Sequence, residues 1–462
     1  MLNEDQTQER TALIVVAIAS FTGPFMFSSV NVALPAIQEE FSVNAVQLGW
    51  IATSIMLAMA VMLVPIGKIA DIYGRKKIFA WGLILNTLAS LFASLVGSVA
   101  MLIASRVIQG LAMALFNVTG VAILTSVYPP KKRGKAMGIY VSAVYIGLSI
   151  GPFAGGILTQ QVGWRSLFLI VAVFSGISFY ATLRYLKGEW ADARGEKLDL
   201  LGSILYGIAV LAIVYGATIL LEKKALYLIA AGVICMIAFV RHELRTPYPV
   251  FEVRLLTGNK LFAFSSLAAL INYSATFAVT FLLSLYLQYI QGMSPQCAGA
   301  VLMVQPVLMA ILSPVTGKWS DKTEPGKIAS SGMAITALGV FLFAFIGKGT
   351  NIFYIICTLA ILGLGFAMFS SPNMSAIMGA VEKRYLGIAS GTVSTMRLLG
   401  QMLSMAITMV IISLFLGKEE ISPSNYDLFL KSVYVAFLIF TILCVIGIFF
   451  SLSRGSVRNK TV

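Results

Sequence analysis

Two arginines, Arg106 and Arg397, stand inside long apolar stretches of the chain. An arginine at the centre of a membrane span costs about 2.5–3.5 kcal/mol on insertion scales, so we expect both to face a helix bundle or a water-filled cavity. Gln109 follows Arg106 by three residues, which places the two side chains on one helical face. For Arg106, the alternative is a position near the outer end from which the side chain snorkels to water.

Few residues offer catalytic or metal-binding chemistry. Asp and Glu are absent from the centres of the apolar stretches, and His242, the single histidine, lies in a charged loop. The four cysteines are scattered without metal-ligand spacing. We therefore predict no enzyme, no cofactor and no metal site. A membrane enzyme or receptor is the least favoured alternative, because nothing clusters His, Asp or Glu near an interface.

The elements that must position the arginines are fourteen apolar stretches, which fill nearly all of the 462 residues. Hydrophobic residues make up 58% of the chain, more than a water-soluble domain can bury. A hydrocarbon core of about 30 Å needs about 20 apolar residues per helix. We therefore predict an all-α polytopic membrane protein. The predicted spans are 12–34, 48–70, 78–97, 99–127, 135–159, 165–186, 199–221, 225–241, 261–290, 297–317, 328–347, 351–379, 386–416 and 430–453.

Basic residues predict the orientation of these spans. With both termini in the cytoplasm, six of the 33 lysines and arginines fall in outer loops: Arg165, Lys223, Lys224, Lys348, Lys418 and Lys431. This positive-inside pattern indicates a multi-pass protein of the cytoplasmic membrane. The net charge of +14 then reflects topology and attraction to anionic membrane lipid, not nucleic acid. No cleavable signal is predicted, because the first stretch follows acidic residues rather than a basic leader.

Two patterns recur along the chain. Gly67-Lys-x-x-Asp71 returns 250 residues later as Gly317-Lys-x-x-Asp321, and Gly134-x-Ala-x-Gly138 returns after 253 residues as Gly387-x-Ala-x-Gly391. Parallel halves of this kind are typical of transporters. We expect two six-helix bundles and an inserted two-helix hairpin. Their predicted bounds are 1–188 for the N-terminal bundle, 189–258 for the hairpin with its cytoplasmic linkers, and 259–462 for the C-terminal bundle and tail.

The loop after span 2 has the residues of a latch. Asp71 can accept hydrogen bonds from Arg75 or Arg133, and such a pair at the cytoplasmic face can hold two halves and release them. Gly67 permits close packing, and Gly74 supplies a turn. The alternative is a positive-inside loop that only fixes topology.

Span 5 carries glycines at helical spacing. Gly147, Gly151 and Gly155 are four residues apart, follow Gly138, and form a groove that admits close helix contact. Pro152 bends the helix. We expect this groove to meet span 10 of the other half; the alternative is an ordinary small-residue packing seam.

At these positions the motifs resemble those of the major facilitator superfamily: its loop 2–3 signature, its span-4 Arg-x-x-Gln-Gly signature and its span-5 antiporter signature, which marks exporters. Other segments resemble the fourteen-span drug:proton antiporter branch; they are Asn31–Pro35, Gly163–Phe168, Leu285–Pro295, Ser371–Gly379 and Thr395–Gln401. The resemblance implies a major facilitator fold with 14 transmembrane helices. It also implies secondary active efflux of amphiphilic small molecules by alternating access in exchange for protons. Arg106 and Gln109 would take part in coupling, and the protein would act as a monomer.

The chain departs from that branch at Met26, where an acidic residue is common. Without a buried carboxylate, a simple exchange of proton for cationic drug is not expected, and neutral or anionic amphiphiles fit better. A proton-independent, anion-type or lipid-type carrier stays the alternative. The predicted substrate cavity combines aromatic, Met, amide and Arg side chains: Met26, Asn31, Met113, Asn117, Tyr145, Asn272, Tyr273, Gln305, Phe369, Asn373, Arg397 and Gln401. For each of these residues, core packing is the alternative.

Overall fold

The computed structural model of the chain describes residues 4–191, 193–219, 223–247, 249–251, 253–381, 386–417 and 419–455. The side chains of Arg133 and Asp321 lie outside that description, so the predicted Arg133 partner of Asp71 lies outside it too.

The described residues are almost entirely helical, because a backbone in hydrocarbon must satisfy its hydrogen bonds internally. The helices are α1 (Glu4–Phe41), α2 (Ala45–Tyr73), α3 (Arg75–Ser94), α4 (Val99–Val127), α5 (Pro130–Gln161), α6 (Arg165–Tyr185), α7 (Leu200–Thr218), α8 (Lys223–Glu243), α9 (Val253–Gly258), α10 (Lys260–Leu285), α11 (Pro295–Leu302), α12 (Val304–Lys322), α13 (Pro325–Phe343), α14 (Ile352–Gly379), α15 (Leu386–Leu416) and α16 (Tyr426–Ser453). A π-helical turn, Tyr286–Ile290, extends α10.

Fourteen segments of the described chain are long and apolar enough to cross a membrane. Spans 1–8 are α1–α8, span 9 is α10 with its π turn, span 10 is α11 with α12, and spans 11–14 are α13–α16. The predicted number of spans and the all-α fold are confirmed, and the chain is a multi-pass membrane protein.

Local sequence explains where helices begin and break. The side chains of Ser98, Asn259 and Asn351 accept hydrogen bonds from backbone N–H groups in the first turns of α4, α10 and α14. Span 10 was expected to be continuous, but it breaks at Met303. Pro306 explains the break, because a proline has no N–H for the carbonyl four residues earlier and its ring clashes with that carbonyl.

The chain forms two compact units. The first consists of Met1–Val43, Trp50–Gly207 and Ser294–Gly299. Within it, α1 packs against α4, α5 and α6, while α3 packs against α4 and α6.

The second unit consists of Asn44–Gly49, Ile208–Met293 and Ala300–Val462. Here α10 packs against α14, α15 and α16, while α13 packs against α14 and α16. The span pairings of the first unit thus recur in the second, as the sequence repeat predicts. The boundary between the units falls within α7 at Gly207; the three-part division at 188 and 258 stays a prediction.

Glycines at matching positions make matching contacts in the two units. A Cβ on Gly110 would lie 2.8 Å from the Cβ of Ala58, and one on Gly363, 253 residues later, would lie 3.0 Å from the Cβ of Leu308. In the same way, Gly147 faces the backbone of α1, and Gly400, also 253 residues later, faces the backbone of α10. The repeat therefore extends to the places where helices approach most closely.

Candidate functional site

Arg106 is fully buried in the first unit and belongs to a polar network. Its Nε donates to the carbonyl of Ile51 on α2 at 3.1 Å, and a terminal nitrogen donates to Gln109 Oε1 at 3.2 Å. Gln109 Nε2 donates to Ser90 Oγ on α3 at 2.8 Å. The Phe168 ring of α6 lies 6.0 Å from the guanidinium carbon. No described carboxylate pairs with this cation, and the snorkelling alternative does not hold.

The loop after α2 contains the expected ion pair. Arg75 Nε donates to Asp71 Oδ1 at 2.8 Å, and its NH1 donates to Ser126 Oγ of α4 at 2.7 Å. Gly74 has φ +112°, a conformation that favours glycine. Gly67 packs loosely, since a Cβ there would lie 3.7 Å from Val118.

A segment after α6 covers this loop, although the sequence suggested only a polar linker. We call residues 187–191 and 193–199 the strap. Trp190 O accepts from the Arg75 N–H at 2.8 Å, and Ala193 N donates to Asp71 O at 3.0 Å. Lys68 forms an ion pair with Glu196. The mixture of Glu and Lys in the strap was the available signal, but its partners could not be read from it.

Glu189 of the strap caps α3. Its Oε1 accepts from Lys76 N at 2.8 Å and its Oε2 from Lys77 N at 3.2 Å, which satisfies N–H groups that a helix start leaves free. A Cβ on Gly74 would lie 2.9 Å from Glu189 Cγ. Gly74 therefore permits the positive φ of the turn and leaves room for the Glu189 side chain of the strap.

The span-5 glycines face α1 rather than span 10, so that expectation is wrong. A Cβ on Gly147 would lie 2.7 Å from Phe21 O, and one on Gly155 would lie 2.7 Å from Ser29 Cα. Gly151 faces Ser28 in the same way. Nothing lies within 4 Å of a Cβ on Gly138.

A neighbouring face of α5 meets the start of span 10 within the first unit. A Cβ on Gly156 would lie 2.8 Å from Gln296 Cα, and one on Gly299 would lie 2.7 Å from the carbonyl carbon of Pro152. Span 10 therefore contacts α5 through Gly156 and the Pro152 backbone, one position around the helix from the predicted groove.

The predicted cavity residues divide by burial. Those buried are Met26, Asn31, Met113, Asn272, Phe369 and Asn373. Those partly exposed are Asn117, Tyr145, Tyr273, Gln305 and Gln401. Phe369 packs with Ala268, Ala329 and Met333 in a hydrophobic cluster, so core packing accounts for it. Arg397 is exposed in the second unit, and its place in a substrate cavity stays a prediction.

Asn373 instead holds a buried arginine that sequence reasoning missed. Arg454, 2% exposed, donates to Asn373 Oδ1 at 2.7 Å, Gly326 O at 2.7 Å and Ser451 Oγ at 2.9 Å. Burial lowers the pKa of Arg454 to about 10, which leaves it charged at neutral pH. Because Arg454 directly follows the last apolar span, the sequence suggested a cytoplasmic surface charge.

Asn272 of α10 has an unusual environment. It is fully buried, and neither its Oδ1 nor its Nδ2 has a hydrogen-bond partner among the described residues. A buried amide left unpaired costs free energy and calls for an explanation. Among the predicted cavity residues it is the one whose polarity packing does not explain.

Glu40, at the end of α1, forms a polar network that the sequence did not single out. Both carboxylate oxygens accept from Arg165, at 2.6 and 2.7 Å, and Oε2 also accepts from Trp164 Nε1 at 2.8 Å. The Gly163–Phe168 segment is therefore structural in this region.

Comparison with known proteins identifies the family of this chain. The family model of the Major Facilitator Superfamily matches residues 16–405 and 265–461, and the chain belongs to that superfamily. The Riboflavin transporter RibZ of Clostridioides difficile is 28% identical over 84% of this chain and 85% of its own. The Multidrug resistance protein Stp of Mycobacterium tuberculosis (strain CDC 1551 / Oshkosh) is 30% identical over 86% of this chain and 75% of its own.

A solved structure shares the fold. A peptide transporter POT mutant in complex with alafosfalin superposes with a TM-score of 0.71 over 98% of this chain and 99% of its own, at 15% identity. At that identity the likeness concerns the fold alone.

Proposed function

We propose that this protein is a secondary active exporter of amphiphilic small molecules, working by alternating access in exchange for protons. It acts in the cytoplasmic membrane with both termini in the cytoplasm. Relatives named for multidrug resistance and for riboflavin transport support small organic molecules, rather than inorganic ions, as its substrates.

The observation that carries the proposal is the glycine seam between α1 and α5. The antiporter signature that the sequence suggested lies there, with Gly147, Gly151 and Gly155 against the backbone of α1. Direct backbone contact without intervening side chains lets two helices move as one body, or slide with little steric resistance. We infer that α1 and α5 move together during the transport cycle.

The residues that would contact the substrate are Asn272 and the partly exposed polar residues of the predicted cavity, Asn117, Tyr145, Tyr273, Gln305 and Gln401. The amide of Asn272, with two N–H donors on Nδ2 and an acceptor at Oδ1, would supply hydrogen bonds to a polar group of the substrate. Arg397 adds a positive charge on α15. Neutral, zwitterionic and anionic amphiphiles fit this set better than cations.

Proton coupling falls to acids at span edges. Asp71, in its ion pair with Arg75, is the first candidate. Glu40 is a weaker one, because Arg165 and Trp164 already hold both of its oxygens.

The test is transport in proteoliposomes that contain the full chain. We expect a panel of riboflavin and neutral amphiphilic drugs to be driven by an imposed pH gradient, with proton movement in the opposite direction. Transport unaffected by collapsing that gradient would favour the proton-independent carrier; no transport of any member would contradict the export proposal.

A further inference from the structure

A groove of about 680 Å³ lies between α3 and α6 in the first unit. Its end near the loop after α2 is cationic, formed by Lys76 and Lys77. Its wall is apolar, formed by Trp81, Ile84, Phe179 and Leu183. The volume lies within the range of small-molecule sites.

The two lysines are available to a ligand. The ion pairs described at this corner of the unit are Lys68 with Glu196 and Arg75 with Asp71, and neither uses Lys76 or Lys77. Glu189 also lines the groove, but its two oxygens accept the backbone N–H groups that begin α3. These two hydrogen bonds hold its carboxylate against the start of α3.

The apolar wall continues along α3 from the lysines toward the membrane interior. Trp81 is 61% exposed and lies one helical turn beyond Lys77. Tryptophan is a residue type enriched between lipid headgroups and hydrocarbon. Ile84 lies about 10 Å beyond Lys77 at a rise of 1.5 Å per residue. A soluble phosphate would leave this wall unused, whereas an acyl chain would cover it.

We propose that the groove binds one anionic phospholipid, with its headgroup phosphate between Lys76 and Lys77 and one acyl chain along the apolar wall. Two cations at one end and exposed apolar side chains at the other match the two ends of such a lipid. A zwitterionic headgroup fits less well, because its ammonium would meet the two lysines.

The experiment counts phosphatidylglycerol bound to the intact, detergent-purified protein by native mass spectrometry. The test variant is Lys76→Gln combined with Lys77→Gln, which keeps a polar, uncharged side chain at each position and removes both charges. The control is Lys327→Gln, an exposed lysine in the first turn of α13, the counterpart of α3. We expect one retained lipid in the wild type, binding weakened on the order of thirtyfold in the double variant, and an unchanged control.

Two further arms separate the sources of the phosphate. Phosphatidylcholine with the same acyl chains should be retained more weakly than phosphatidylglycerol, and inorganic phosphate should not raise the thermal stability. Equal retention in the double variant, equal retention of phosphatidylcholine, or an equal stability shift with inorganic phosphate would each overturn the proposal.

Discussion

At the scale of residues, the two units differ at the buried arginine. The positions 253 residues after Arg106 and Gln109 are Leu359 and Leu362, and the position 250 residues after Ser90 is Val340. The same helix contacts are therefore built without a polar network in the second unit. The network is not needed for this packing, which favours a role in transport.

That role is tested by replacing Arg106 and Gln109 with leucine, the residue at the matching positions of the second unit. In Arg106→Leu combined with Gln109→Leu, the buried charge and its acceptor disappear together and the Ser90 hydroxyl loses one donor, so we expect a melting temperature close to that of the wild type. Arg106→Leu alone should cost about 1–3 kcal/mol, because it leaves Gln109 Oε1 unpaired. Thermal unfolding measures the stability of the two variants, and transport in vesicles measures their activity. Full transport by the stable double variant would show that the network is only structural.

Asn272 allows a similar separation. Asn272→Leu removes a buried amide without partners among the described residues. We therefore expect the free energy of unfolding to equal that of the wild type or to exceed it by about 1–3 kcal/mol. Transport should fall at least tenfold if the amide contacts substrate. The control is Asn86→Leu, which breaks a hydrogen bond to Ser175 at 2.7 Å and should lose stability. A stable Asn272→Leu protein with normal transport would remove this residue from the substrate site.

At the scale of elements, loop 67–77 and the strap act together. Asp71→Asn removes the charge that pairs with Arg75, so we expect normal insertion and a transport rate at least tenfold lower. The control is Asp427→Asn, which breaks an exposed pair with Lys348, worth about 0–1 kcal/mol at a surface. The measurement is the initial transport rate in vesicles, normalised to protein amount, for the two variants and the wild type. A rate within twofold of wild type for Asp71→Asn would exclude the latch.

The α1–α5 seam gives a matched pair of glycine variants. Gly147→Ala places a Cβ 2.7 Å from Phe21 O and should cost about 1–3 kcal/mol by overpacking, with slowed transport. Gly138→Ala on the same helix meets no atom within 4 Å and should behave as wild type. Gly400→Ala tests the counterpart in the second unit, where Tyr273 Cβ would lie 2.9 Å away. Equal transport by the Gly138 and Gly147 variants would exclude a mechanical role for the seam.

At the scale of the whole molecule, charge predicts substrate preference. The described spans carry acids only near their ends, while Arg106 lies fully buried without a carboxylate. A dication would enter with no compensating acid, so we expect neutral amphiphiles to be transported at least tenfold faster than dications of similar size. Initial rates in proteoliposomes, with wild type beside Arg397→Ala, measure this. Gradient-driven dication transport that Arg397→Ala leaves unchanged would contradict it.

The sequence by itself determined the membrane class, the fourteen spans and the repeat. These follow from local quantities: about 20 apolar residues per span, basic residues between spans, and motifs at a constant offset. The pairing of Arg106 with Gln109 also followed, because their spacing places both side chains on one helical face. For Asp71, the sequence left Arg75 and Arg133 open as partners.

Only the tertiary structure decided what depends on distant partners. The face that Gly147 presents to α1, the docking of the strap on the Asp71 loop, and the capture of Arg454 by Asn373 each join residues far apart in sequence. The exposure of Arg397 belongs to the same class. In hydrocarbon, helices attract one another through close packing and a few hydrogen bonds rather than through apolar burial, so apolar patterns alone cannot reveal which helix faces meet.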